Sequence, residues 1–428
     1  MMRTSDAPTL RGDVVGGITT FLTMAYIVVV NPTILATPGT GLPFDGVLGA
    51  TVLLTVVMTL AMGLYARLPF GVAPGMGLNA FLAFTVILQH KVPWPVALGC
   101  VFWAGAIFVL LSLTPLRERV ATAIPTNLRL AAAAGIGLLL AFIGLRNAGI
   151  IVADPATLVR VGPLDHRAGL LVLGLAIAAL LIRHRSPLAF LASIAGVTLA
   201  AWALGDVTRP PSVVSVPAMD TLWLRLDVVG ALQWTLLPTM LSIAFTDLFD
   251  SLSTFVGVST ASGLVDENGR PHRLREGLIV DAWATLGAAL VGSSPGTAYV
   301  ESIAGIRMGA RTGRAAVVTA VCFIPCFFLA PLAGAVPAYA TAPVLILVGA
   351  AMFGTVRDLT VGTLEDSVPP FVTLFLIPLT LSITQGILWG FVLHALLYAL
   401  AGRAREVSVP LWIIAALAVV LLVLERVL

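Results

Sequence analysis

The sequence predicts an all-α polytopic membrane protein of about 14 transmembrane segments in two inverted repeats of seven. Three observations predict it. Hydrophobic residues make up 59% of the 428-residue chain and charged residues only 11%, against about 25% charged in soluble domains. A soluble core of this size would need a charged coat, and a mean hydropathy of +1.03 agrees that there is none. Apolar runs recur along the whole chain at lengths approaching the roughly 20 residues of a bilayer span. Two of the shorter runs, interrupted by Gly and Pro, recur seven segments apart.

Residues 1–13 are polar and are expected in the cytoplasm; nothing there reads as a cleavable signal peptide. Runs at 14–36, 44–65, 70–88, 95–113, 129–147, 168–183 and 187–204 form the first repeat, 14–204. An extracytoplasmic linker follows at 205–230. Runs at 236–258, 276–292, 296–306, 314–333, 341–356, 371–385 and 387–401 form the second repeat, 231–401. The C-terminal segment, 402–428, holds one more apolar run at 409–427, which either spans or lies along the interface. Seven is odd, so the second repeat enters the membrane from the opposite side.

Arginine sets the orientation. With the N-terminus inside, Arg3, Arg11, Arg67, Arg117, Arg119, Arg183, Arg185, Arg270, Arg273, Arg275, Arg307, Arg311, Arg314, Arg357, Arg403 and Arg405 fall in inside loops. Lys91, Arg146, Arg160, Arg167, Arg209 and Arg225 fall outside. That bias fits the positive-inside rule and an inner (plasma) membrane. The net charge of +3 thus reports loop placement and not nucleic-acid binding. Cys100, Cys322 and Cys326 all sit in apolar stretches without zinc spacing, so neither a metal nor a cofactor is expected.

The third run opens with PFGVAPGMGLNAF (69–81) and the tenth with GSSPGTAYVES (292–302). Short extended stretches are expected in both. A helix that stops in mid-membrane bares N–H and C=O groups, tolerated only inside protein or along a polar cavity. Paired broken segments in two inverted halves point to a transporter site. The fifth run follows Ile124 and Pro125, and the twelfth follows Val336 and Pro337, which supports the same repeat.

Asp247 and Asp250 interrupt the apolar stretch LLPTMLSIAFTDLFDSLSTFVGV. A carboxylate there costs roughly 2.5–3.5 kcal/mol on insertion scales, and three-residue spacing puts both on one helix face. Glu301 follows the second break. These three acids, without an intramembrane cation, are expected to bind and release the coupling proton. Bare carbonyls with an aspartate could hold sodium instead. Asn79, in the first break, offers a donor and an acceptor to a ring with both on its edge. Tyr299 either stacks on a planar ligand or packs. Asp281 reads as structural or solvated, His394 as a satisfied interior histidine, and Asp266 to Glu276 as a solvated loop.

The strings GGITTFLTMAYIVVVNP (16–32), APGMGLNAF (73–81), FTDLFDSLSTFVG (245–257) and GTAYVESIAG (296–305) resemble the AzgA-like hypoxanthine/guanine/adenine permeases of the nucleobase–ascorbate transporter superfamily. The resemblance implies a core domain of segments 1–4 and 8–11 and a gate domain of segments 5–7 and 12–14, with elevator-like alternating access. It implies a purine nucleobase as substrate, contacting Asn79, Asp247 and Glu301 with Asp250 in support. Gly77, Thr297 and Tyr299 are expected beside them, and the family suggests a homodimer in the bilayer. Pro295 and Gly296 depart from the Ser/Thr-rich stretch usual before the tyrosine, which bears on which purine fits. The competing readings are a carrier of the same architecture for uracil, xanthine or a small anion, and an intramembrane enzyme using Asp247 and Asp250. Three carboxylates would repel an anion. Two aspartates on one helix turn cannot flank a scissile bond, so no catalytic residue is expected.

Overall fold

The computed structural model describes residues 8–114, 125–210, 212–216, 221–265 and 272–427. Of the residues used above, Arg3, Arg117, Arg119, Ile124, Asp266 and Arg270 lie outside these.

The chain is helical nearly throughout, because a bilayer leaves the backbone no partner but itself. The first half runs α1 (Leu10–Met24), α2 (Ile27–Leu35), α3 (Phe44–Ala61), β1 (Val72–Pro74), α4 (Met76–Ala80), α5 (Trp94–Leu113) and α6 (Thr126–Asn147). A hairpin of β2 (Ile151–Asp154) and β3 (Leu158–Val161) precedes α7 (His166–Arg183) and α8 (Ala189–Leu204). The second half runs α9 (Leu237–Ser262), α10 (Leu274–Val291), β4 (Gly296–Ala298), α11 (Ser302–Arg307), α12 (Gly313–Phe323) and α13 (Ala330–Gly334). It ends with α14 (Ala338–Phe353), α15 (Leu364–Thr380), α16 (Ile383–Leu400) and α17 (Val409–Val427).

Among the described residues, eight helices are long and apolar enough to cross a membrane by length and composition, and four apolar helices are shorter. Those criteria alone do not recover fourteen spans: α10 and α15 carry acidic residues in their first turns, and β4 with α11 is short. Two departures from the expected boundaries have local causes. The turn between the last two helices of the second repeat falls at Leu381, whose φ is +53°, with Ser382 capping the Gln385 N–H at 3.3 Å. The sequence placed it at Gly386, but that glycine is packed against α15, where an added Cβ would meet Ile377 Cγ1 at 2.4 Å. The β2–β3 hairpin was not anticipated; it is only four residues a strand.

Packing gathers the helices into two groups. α1 lies on α11 and α12, α3 on α2, α10 and α12, and α5 on α9 and α10. Separately, α6 lies on α14, α15 and α16, and α7 on α8 and α14. Close approach in the second group is extreme: a Cβ on Gly349 would lie 2.3 Å from the Gly137 carbonyl oxygen. In the first, the buried Asp13 of α1 accepts from the Arg311 N–H at 2.8 Å and the Thr312 N–H at 3.1 Å, tying α1 to the turn that opens α12.

The two broken segments meet. β1 pairs antiparallel with β4, Val72 opposite Ala298 and Pro74 opposite Gly296. The ladder extends one bond further at each end, Gly75 N–H to Pro295 O at 2.8 Å and Tyr299 N–H to Gly71 O at 3.0 Å. Side chains satisfy what three-residue strands leave over. Thr59 bonds both the N–H and the C=O of Val72 at 3.0 Å, and the Gly71 N–H donates to Ser302 Oγ at 3.0 Å. This is the condition for extended backbone at membrane depth.

Candidate functional site

The expected site residues collect around the β1–β4 pair. Asn79 follows β1 by one helical turn and is fully buried. Its Nδ2 donates to Asn31 Oδ1 at 3.0 Å, while its own Oδ1 is buried with no hydrogen-bond partner. Asn31, on α2, donates in turn to Thr51 Oγ1 at 2.8 Å and Ser293 Oγ at 3.2 Å, and accepts from Ser294 Oγ at 3.2 Å. Gly77 faces α6, where a Cβ would sit 2.4 Å from Ile136 Cγ2; only glycine lets the two helices come this close.

On the β4 side the groups are acidic. Asp247 of α9 is fully buried. Its Oδ2 accepts from the Thr285 hydroxyl of α10, which also lies 3.3 Å from the Gly296 carbonyl. Its Oδ1 has no partner. Asp250, one turn on, is half-buried. Thr297 of β4 shares a 3.3 Å hydrogen bond with Ser251 of α9, and α9 packs against β4, α4 and α11. The Tyr299 hydroxyl donates across the strand pair to the Pro74 carbonyl, and the ring is buried. Glu301 sits at the start of α11 without capping it by its side chain; instead Oε1 accepts from the Tyr26 hydroxyl of the first helical pair at 2.6 Å. None of the ion pairs among the described residues involves Asp247, Asp250 or Glu301.

A fourth carboxylate joins them. Asp281 of α10 is fully buried, accepts from the Ala298 N–H at 2.8 Å and takes the Ser251 hydroxyl on its other oxygen. Of the readings its sequence position allowed, structural, solvated or coupling, the solvated one is excluded by its burial, and its bond to the Ala298 N–H anchors β4.

The family model described as the Permease family matches residues 11–388. The chain belongs to that family. Among curated relatives, this permease is 40% identical over 414 residues to the adenine permease AdeP of Escherichia coli, covering 96% of this chain and 92% of the relative. It is 38% identical over 417 residues to the guanine/hypoxanthine permease PbuO of Bacillus subtilis, covering 95% and 96%. The resemblance read from the four sequence strings is therefore borne out, and the permease is a transporter and not an enzyme. Among solved structures, the transmembrane domain of a cyanobacterial bicarbonate transporter, BicA, aligns with a TM-score of 0.66 at 16% identity, covering 89% of this chain and 97% of that one. Murine solute carrier 26 family member A9 aligns at 0.62 and 10% identity, covering 93% and 69%. At such identities the likeness shows a shared fold.

Sequence reasoning missed three polar partners in the permease: Tyr26, Asn31 and Thr285. Tyr26 and Asn31 lie inside the string GGITTFLTMAYIVVVNP, and a polar residue in an apolar run is a signal in itself. Their partners Glu301 and Ser293, however, are more than 200 residues away in the chain. His394 is buried with its ring centroid 4.2 Å from that of Tyr398, as an interior histidine should be.

Proposed function

We propose that this permease imports purine nucleobases, hypoxanthine, guanine or adenine, by proton symport across the inner membrane, with its N-terminus in the cytoplasm. The observation that carries the reading is a pair of buried oxygens without partners, Asn79 Oδ1 and Asp247 Oδ1, one reached from each strand of the β1–β4 pair. A buried acceptor left unpaired costs about 1–3 kcal/mol, so the site is poised for a ligand that donates N–H groups. A neutral nucleobase donates from its ring and exocyclic nitrogens. The names of the relatives, adenine and guanine/hypoxanthine permeases, support the same class. A small anion suits this fold in other proteins but not four carboxylates without a bonded cation.

Asp247, Asp250 and Glu301 are the proposed proton-exchanging groups, and Gly77, Thr297 and Tyr299 complete the wall around the base. The two packing groups support alternating access. The group bearing β1 and β4 carries the ligand past the group of α6, α14, α15 and α16, in the manner of an elevator.

The test is uptake of radiolabelled hypoxanthine, guanine, adenine and uracil into a purine-transport-deficient bacterium. Wild type should accumulate one or more purines, and an uncoupler should abolish the gradient. Accumulation of no nucleobase by protein present in the membrane would overturn the substrate class. Accumulation that survives an uncoupler but needs external sodium would overturn the proton.

A further inference from the structure

Hydrogen-bond polarity in the buried amide relay is set by a backbone carbonyl. A carbonyl oxygen can only accept. Thr51 Oγ1 lies 2.7 Å from the Val47 carbonyl oxygen, so the Thr51 hydrogen is committed there and the Thr51 oxygen must accept from its other neighbour. That neighbour is Asn31, 2.8 Å away, which must present its NH2. The Asn31 carbonyl then points the other way, where it receives both Asn79 Nδ2 at 3.0 Å and Ser294 Oγ at 3.2 Å. Its two lone pairs are filled. Asn79 therefore turns its NH2 toward Asn31 and gives one N–H to it, and its carbonyl oxygen is the atom left without a partner.

The β4 side runs in the same sense. The Ser251 hydrogen is committed to the Asp281 carboxylate. Ser251 therefore accepts from the Thr297 hydroxyl at 3.3 Å, which leaves the Thr297 oxygen as an acceptor. The Thr285 hydrogen is committed to Asp247 Oδ2, leaving Oδ1 as an acceptor.

We propose that Thr51 and Asn31 are positioning residues for specificity: they hold Asn79 as an acceptor, so the site selects planar bases that offer an N–H donor on each of two edges. An amide alone would read a donor or an acceptor equally well. The relay fixes which end of the amide turns to Asn31 and so leaves the carbonyl oxygen open, without Thr51 or Asn31 touching the ligand. This inference rests on the purine reading and deepens it, from a class of substrate to the donor pattern its edges must carry.

The experiment is competition against radiolabelled hypoxanthine uptake by unlabelled hypoxanthine, 1-methylhypoxanthine and 9-methylhypoxanthine. Each methyl form lacks one N–H donor. It is run on wild type, Thr51→Val, Asn31→Leu and the conservative Thr51→Ser. In wild type each methyl form should compete about 10- to 100-fold more weakly, the factor expected for an acceptor left unpaired. In Thr51→Val and Asn31→Leu the KM for hypoxanthine should rise and the preference over at least one methyl form should collapse; Thr51→Ser should restore both. A purely structural role would lower the maximal rate and leave the preference unchanged, which would overturn the proposal. A thermal-shift measurement on purified wild type covers variants that fail to reach the membrane. Equal stabilisation by hypoxanthine and both methyl forms there would equally overturn it. Wild type that takes up no purine fails the substrate class instead.

Discussion

The two strands at the centre of the molecule are alike in length and pairing but differ in what surrounds them. β1 is bordered by neutral groups: Thr59 bonds its backbone, and Asn79 and Asn31 follow in an amide relay. β4 is bordered by acids: Asp281 on its Ala298 N–H, Asp247 holding the Thr285 hydroxyl 3.3 Å from its Gly296 carbonyl, and Glu301 just beyond. An inverted repeat supplies two equivalent places for backbone to open. In this chain one is bordered by neutral amides and hydroxyls and the other by carboxylates, and the proposed function assigns proton exchange to the second.

The largest test of that division is on the acidic side. Glu301→Gln keeps an oxygen for the Tyr26 hydroxyl but cannot carry a proton. Accumulation against a gradient should fall about 100-fold, equivalent to about 3 kcal/mol, while exchange of base for base survives; loss of both would place Glu301 in binding alone. On the neutral side, Asn79→Ala should raise KM about tenfold and leave the pH profile of uptake where it was. A displaced profile would break the comparison. Asp281→Asn should do less, a fall of a few-fold in uptake with an unchanged profile, since an amide oxygen can still receive the Ala298 N–H. Smallest, and remote from the site, is Asp154 in the β2–β3 hairpin. Backbone N–H groups of Thr157 and Ala156 hold its carboxyl below the usual carboxylate range. Its folded value is depressed, so its contribution is present above the unfolded value near about 4 and is lost as pH falls through the folded one. Hydrogen exchange at the Thr157 amide should speed up in Asp154→Ala at neutral pH, and the two proteins should converge in strong acid.

Much of this was legible beforehand, and unevenly. Asp247, Asp250 and Glu301 announce themselves because an ionisable group in an apolar run is costly. The breaks before Asn79 and Glu301 announce themselves through Gly and Pro. The Leu381 turn does not, because a leucine with positive φ leaves no trace in composition, and three prolines inside α15 offer false breaks instead. Asp281 was legible as a residue but not as a strand anchor. Asn31 was invisible as a positioning group because its partners, Thr51, Asn79, Ser293 and Ser294, come from separate segments that only the fold brings together.

The pairing of β1 with β4 also fixes an order of events during synthesis. Tyr299 bonds the Pro74 carbonyl from 225 residues away, which at about 5–20 residues per second is on the order of ten to forty-five seconds of translation. Until then the first broken segment has left the ribosome with its strand unpaired. The nascent first half must wait in the translocon, or in a wet niche beside it, for the second half to arrive. A chaperone or insertase that shelters open backbone would be felt most by this stretch, and a pause in translation before residue 296 would be felt next.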